Sequence, residues 1–402
     1  MMFFLPVNLL TKIGIDYRLV QTLYILPGIF LIVQYSTKIL QKKWFVPLLS
    51  LVAIISIYKL IVDKGEGARS AVIQLVGAPI LFAAFSIMLR DNIITRFFLP
   101  TWRFIAKYLF YWFLAITCLA IFERILGRPV LGWIAGPNES IVNISFSEFR
   151  SCSLLGHPLY NALVVSILMS FILISNFRTK IKFILWGIGF TSILCFNTRS
   201  SIVGNALLMG VFIFHSIFFN TTISYVMKKR IITYSIAASL LGAFLLFSVG
   251  LGGRLLEMGL FDEGSAQVRV DTWSIFKYIT IKDILSGMDY HDMNLIMYKA
   301  GLYTTENYWI DQLFSFGLIL MVPYVILYFL LCKNNYKGYS LFHALFSTST
   351  FLLISSTNNS LSADFLALFI FLLCIIIFHP KNFIRIVPLK YITLNKNKSK
   401  QI

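Results

Sequence analysis

Residues 159–177 read LYNALVVSILMSFILISNF, a run without one charged side chain. A helix that crosses a bilayer needs about 20 consecutive, largely apolar residues. No soluble helix of this length presents an apolar surface on every side unless it is buried. The same reading applied outward along the chain finds further runs near 19–37, 44–62, 71–89, 103–122, 182–196, 201–219, 231–250, 309–331, 339–356 and 363–379. The sequence therefore predicts an all-α integral membrane protein, a single multi-pass domain over residues 1–402 with about eleven transmembrane helices (ten to twelve). The sixth run is short and the third contains Pro79, so these two carry the weakest signal.

Composition points the same way. Of 402 residues, 58% are hydrophobic, 16% aromatic and only 13% charged, and the mean hydropathy is +0.80. A soluble domain carries ~25% charged residues, and even a large one leaves roughly a quarter of its chain surface exposed. This removes most soluble enzymes, disordered proteins and secreted disulfide scaffolds from consideration. Five separate cysteines, Cys118, Cys152, Cys195, Cys332 and Cys374, form no CxxC pair. They indicate neither a disulfide framework nor a zinc site. The N-terminal MMFFLPVNLL lacks the basic region of a cleavable signal peptide.

The net charge of +18 would suggest nucleic acid in a soluble chain, but here no nucleic-acid partner is expected. Lys38, Lys42 and Lys43, then Arg90, Arg96 and Arg103, Arg178, Lys180 and Lys182, Lys228, Lys229 and Arg230, and Lys333 and Lys337 all fall on one side of an eleven-span bundle. The basic tail 380–402 joins them, and the positive-inside rule makes that side, with the C-terminus, cytoplasmic. The opposite side carries two long connections, 123–158 and 251–308, far beyond the median of about 4–6 residues and so expected to be functional. Within the second, residues 266–287 predict an amphipathic helix with Val270, Trp273, Phe276 and Ile279 on one face, lying on the membrane or capping the bundle. The chemistry is expected on this outer side.

Four places there carry candidate residues. Asn197-Thr198-Arg199-Ser200-Ser201 links the sixth and seventh spans, so Arg199 stands at an outward helix N-terminus. Such an end suits phosphate, and the guanidinium fork matches phosphate oxygens. Alternatively, Arg199 snorkels to lipid headgroups while Thr198 or Ser200 caps the helix. Arg269 shares a helix face with Trp273 at i,i+4 and can pair with it by a cation–π contact, or else faces solvent or headgroups. Glu306-Asn307 precedes the ninth span, where Asn307 is a natural N-cap. Glu306 is a dipole-stabilised carboxylate, or a general base and acceptor for a sugar hydroxyl. The stretch from Arg150 to Pro158 leads into the fifth span, with His157 as ligand, proton shuttle or plain packing residue. Five scattered histidines define no metal cluster, so no metal and no cofactor is expected.

At these four places the sequence resembles the O-antigen ligase and polymerase family of bacterial glycan-assembling membrane proteins. Thr198-Arg199-Ser200 resembles the family's small–Arg–small motif at the opening of a span. Arg269 through Trp273, then Gly287, resembles its Arg-x-x-x-Trp segment closed by a glycine. Asn307 and Gly317 stand at the spacing of the ligases' His-Asn to Gly pattern, although Glu306 replaces the His and Leu320 an expected small residue. Arg150 to Pro158 resembles the lead-in to the mid-chain span. The resemblance runs over roughly 100–380 and is closest to Wzy-type repeat-unit polymerases. It implies a bundle of the lipid-sugar glycosyltransferase type in the bacterial cytoplasmic (inner) membrane, joining undecaprenyl-diphosphate-linked oligosaccharides into O-antigen, capsule or exopolysaccharide. It also implies partners: membrane lipids, a chain-length regulator and a flippase of the same pathway. On this reading Arg199 and Arg269 hold the diphosphate and Glu306 takes the acceptor proton. Arg150, His157, Thr198, Ser200, Trp273 and Asn307 line the substrate. The alternatives are a ligase delivering the glycan to lipid A core, which uses the same donor, and a polysaccharide flippase.

Overall fold

The computed structural model describes residues 92–132, 149–221, 224–253, 271–302, 307–357 and 366–380, with scattered positions before 92 and at 255, 382 and 383. Apart from those scattered positions, the expected spans 19–37, 44–62 and 71–89, and the tail beyond 383, lie outside the described residues. Among the described residues the regular structure is helical. In chain order the helices are α1 (Asn92–Leu126), α2 (Pro158–Ile174), α3 (Thr179–Phe196), α4 (Arg199–Phe214), α5 (Tyr225–Phe247), α6 (Ile281–Ser286), α7 (Tyr290–Lys299), α8 (Tyr308–Asn335), α9 (Leu341–Ser355) and α10 (Leu366–Ile377). A π-helical turn, His215–Phe219, prolongs α4, and a 3-10 helix, Thr272–Lys277, precedes α6.

Five stretches are long and apolar enough to cross a membrane: Pro100–Leu126, Thr179–Phe196, Arg199–Phe219, Tyr225–Phe247 and Tyr308–Leu330. The shorter apolar helices α2, α9 and α10 accompany them. These elements match the eight apolar runs predicted from 103 onward. Their outer faces leave large apolar side chains uncovered at helical spacing: Ile232, Ile236, Leu240 and Phe244 on α5, and Val203, Leu207, Val211 and Phe214 on α4. Water would not tolerate apolar stripes of this extent on a monomer; lipid does. By contrast, α2 is buried all round except at Leu159, and every residue of α10 is buried.

The chain divides into two compact units. One comprises Met1–Arg96, Phe261–Lys337 and Ser355–Ile376; the other comprises Phe97–Leu260, Gly338–Ile354 and Ile377–Ile402.

In the second unit α2 packs against α3, α3 against α5, and α4 against α2 and α3. Small residues permit close approach. A Cβ on Gly189 would stand 2.6 Å from the Met169 sulfur, and one on Gly204 2.9 Å from Ile354 and Leu353. The link between α3 and α4 is only Asn197-Thr198. Asn197 ends α3 in the left-handed conformation (φ 54°) that its short side chain tolerates.

In the first unit the expected amphipathic helix over 266–287 is not one helix. Residues 266–270 lie outside the described set. The remainder forms the 3-10 turn, then breaks and restarts as α6. A capping box causes the restart: Thr280 accepts from the Asp283 N–H at 3.3 Å, and the Asp283 carboxylate accepts from the Thr280 N–H at 2.9 Å. The face is correspondingly altered. Ile275 is the buried anchor, packed with Met288, Met293, Leu302, Ile310 and Phe314. Trp273 is 61% exposed and stacks on Phe276.

The expected span 309–331 also departs from a straight helix. Within α8, Gly317 has φ 65° and ψ 171°, so the element is two helical pieces meeting at a sharp bend. Just before the bend the carbonyl of Phe314 receives the Met288 N–H at 2.8 Å, from the turn that follows α6. Irregular backbone at membrane depth is tolerated where protein satisfies it in this way.

Candidate functional site

The strongest polar assembly lies at one end of the second unit. There the C-terminal ends of α1, α3 and α5 meet the N-terminal ends of α2 and α4, with the segment 149–157 threaded between them. This segment is irregular yet buried: Phe149, Ser151, Cys152, Ser153 and Leu155 are each 5% exposed or less. Its backbone groups therefore need partners inside the protein.

Adjacent residues in the last turn of α1 supply them. The Glu123 carboxylate accepts the N–H groups of Cys152 and Ser153, both at 2.8 Å, and of Val130 at 3.0 Å. The Arg124 guanidinium donates to the carbonyl of Phe149 and, at 3.2 Å, to that of Gly250 after α5. Ser151 donates its hydroxyl to Ala120 O and Ser153 to Ile116 O, at 2.8 and 2.7 Å. From α2, Asn161 bonds the carbonyls of Cys152 and His157. Ser153 is thereby held at φ 44°, a costly conformation for a residue with a Cβ.

This lattice places the predicted residues. Phe149 O also accepts from Asn197 Nδ2 at 3.3 Å, and Ser151 N–H donates to Cys195 O at 3.1 Å. Arg150 is thus bracketed by two bonds to the end of α3, and Arg199 follows two residues beyond Asn197. Arg150, Thr198, Arg199 and Ser200 are brought into one neighbourhood. His157 belongs to it: burial and the charge of Arg150 push its imidazole down to about 4, so it is neutral at physiological pH.

Arg199 opens α4 and is 7% exposed, and Thr198 is 3% exposed. As the N-cap residue, Thr198 makes no side-chain bond to the helix. Its hydroxyl, and that of the fully buried Ser201 one turn on, have no hydrogen-bond partner. A buried hydroxyl without a partner costs about 1–3 kcal/mol. Two of them lie at the N-terminus of the helix that the buried Arg199 opens, a place where hydroxyl donors await an acceptor. Arg124 is committed to carbonyl oxygens and braces the site.

The other predicted residues divide. Arg269 and Glu306 lie outside the described residues. Asn307 and Trp273 belong to the first unit. Asn307 caps α8, its side chain accepting from the N–H groups of Trp309 and Ile310 at 3.0 and 3.3 Å, as its position before the run predicted. The bracing residues Glu123, Arg124 and Asn161 were not singled out by sequence. The available signal was an adjacent acid–base pair closing an apolar run, where an uncompensated charge is expensive.

No protein-family model matches the chain, and no curated protein is similar to it in sequence.

Proposed function

We propose that the chain is a polyprenyl-diphosphate-dependent glycosyltransferase that polymerises lipid-linked oligosaccharide repeat units at the outer face of the bacterial cytoplasmic membrane. The observation that carries this reading is the buried Arg199 at the opening of α4, flanked by the unpaired hydroxyls of Thr198 and Ser201. That combination suits a phosphate ester presented from a bilayer.

The reaction follows from the chemistry of such a donor. The acceptor sugar hydroxyl attacks C1 of the donor sugar. The C1–O bond to the diphosphate breaks, and its electron pair leaves on the diphosphate oxygen. The family resemblance alone assigns the hydroxyl proton to Glu306. Charge grows on the diphosphate as the bond lengthens, so donors fixed around it stabilise the transition state more than the ground state. Arg199, Thr198 and Ser201 serve that charge; for Arg269 the same role rests on the family resemblance alone. Arg150 and His157 line its approach. The basic ends of the helices face the cytoplasm on this reading.

The test uses the purified chain in lipid nanodiscs with a labelled polyprenyl-diphosphate oligosaccharide. Wild type is expected to form sugar–sugar bonds. Arg199→Ala is expected to lose about a hundred- to a thousandfold in rate, the cost of removing one oxyanion-type donor. Transfer to lipid A core alone would identify a ligase. Movement of the lipid with no new bond would identify a transporter, and an undiminished rate in Arg199→Ala would remove the assignment.

A further inference from the structure

The opposite end of the second unit holds a second cluster of ionisable groups that this chemistry does not use. Lys182, in the opening turn of α3, donates to the carbonyl of Leu173 near the end of α2 at 2.7 Å. Its ammonium lies 5.9 Å from the ring centre of Phe212 on α4. Phe212 packs against Phe346 of α9, and Phe346 against Phe342, with ring centres 6.0 and 5.5 Å apart. Phe342 is stacked flat on His215, 3.4 Å between centres and 1° between planes. His343 follows Phe342 on α9 and has Lys182 and His215 as its electrostatic neighbours. One ammonium and two imidazoles, from three helices, therefore gather around three phenylalanine rings.

Two features set this cluster apart from ordinary packing. His215 opens the π-helical turn, closed by the Asn220 N–H on the His215 carbonyl at 3.0 Å, and π-turns concentrate at functional sites. Nor do the described residues of this unit compensate the charge. Among the described residues of this unit Glu123 is the only carboxylate, and it serves backbone N–H groups at the far end. Lys182 spends one of three ammonium donors on Leu173, leaving two. A cation half-sheltered among aromatic rings calls for an anion, and the described residues of this unit place none beside it. Around the cluster Phe214, Phe218, Phe219, Leu341 and Leu345 expose apolar surface that acyl chains can cover.

We propose that Lys182, His215 and His343 form a phosphate site at the basic end of the bundle, filled by the headgroup of an anionic membrane lipid. The ammonium and imidazole N–H groups donate to the phosphate oxygens, and the acyl chains lie along the exposed faces of α4 and α9.

The experiment exchanges the full chain from vesicles of equal phosphatidylglycerol and phosphatidylcholine content into detergent and counts retained lipid by native mass spectrometry. Wild type is expected to retain phosphatidylglycerol over phosphatidylcholine by about fivefold, the preference expected of one membrane-surface cation. Lys182→Gln and His343→Gln are expected to abolish the preference. Replacing the exposed basic residues of the same end (Lys229→Gln with Arg230→Gln) is expected to keep it. Equal retention of the two lipids by wild type, or an unchanged preference in His343→Gln, overturns the proposal. So does displacement of the lipid by millimolar inorganic phosphate, which would identify a free-phosphate site. If Lys182→Gln does not fold, wild type and His343→Gln decide.

Discussion

The hydroxyls of Tyr308 and Tyr324 share a hydrogen bond of 3.2 Å, although sixteen positions of one helical run separate them. In a straight helix they would stand about 24 Å apart along the axis, at 1.5 Å per residue. The bond exists because α8 turns back at Gly317. The backbone of that bend touches the backbone of the turn after α6. Gly287 and Gly317 adopt nearly the same conformation, φ 76° with ψ 172° and φ 65° with ψ 171°, a region open essentially to glycine alone. A Cβ on Gly287 would stand 2.7 Å from the Phe316 carbonyl carbon and 2.8 Å from the Gly317 nitrogen, and one on Gly317 would collide with Gly287 and Leu285 in turn.

Alanine at either glycine is therefore expected to destabilise the first unit by about 3 kcal/mol or more, combining conformational strain with the collision. The two losses are expected to be non-additive, because each side chain intrudes on the other's backbone. Thermal unfolding of the single and double variants in detergent checks both statements. A melting temperature unchanged in Gly317→Ala would contradict the bend.

The tyrosine pair makes a separable prediction. Tyr324→Phe strands the Tyr308 hydroxyl in an apolar interior, at a cost of about 1–3 kcal/mol. Tyr308→Phe together with Tyr324→Phe removes both partners and is expected to recover most of that loss. A double-mutant cycle on unfolding free energy measures it.

Much of this architecture is legible in the sequence, and the remainder is hidden for identifiable reasons. Apolar runs from 103 onward mark the helices because lipid demands apolar surface on the scale of a whole turn. The bend at Gly317 leaves no such mark: the residues on both sides are equally apolar, and a glycine in a membrane helix is common. The Asn307 cap was readable from its position. The restart at Thr280 was readable too, since Thr-x-x-Asp is a local capping signal, but the apolar spacing of Phe276 and Ile279 suggested continuity. At the candidate site Arg199, Arg150 and His157 could be selected by type and place. Their convergence could not, because it is set by Glu123 and Arg124 acting on backbone groups about thirty residues away, and backbone partners leave no imprint on side-chain pattern.

Those two residues provide the third prediction. Glu123→Ala removes the acceptor of three N–H groups, two of them in the buried segment 149–157, and is expected to cost several kcal/mol and most of the folded yield. Glu123→Gln keeps one acceptor oxygen and is expected to lose less. Size-exclusion profiles of the two variants, compared with wild type, rank them.

His157 makes the fourth. Its protonation equilibrium lies at about 4 in the folded chain, against an ordinary value of about 6.5. The depressed value means that protons favour the unfolded chain. The stabilisation is complete above about pH 6.5 and declines as the pH falls toward 4, by up to about 1.4 kcal/mol per pH unit. His157→Gln is expected to flatten that part of the profile. Melting temperatures at pH 7, 5.5 and 4.5 for both proteins decide, and parallel profiles would exclude His157 as the titrating group.

The enclosure of α2 has a consequence for how the protein is made. The folded chain covers this helix everywhere but at Leu159, yet during synthesis it must pass into the bilayer before its neighbours surround it. Its hydrophobicity therefore answers to insertion, and its polar residues answer to the later assembly. Ser166, which meets Asn205 at 2.8 Å, is tolerated by lipid for a while and then spent on a partner that arrives afterward from α4. Slowing the emergence of α4 should leave α2 waiting in lipid with that hydroxyl unclaimed by any other helix.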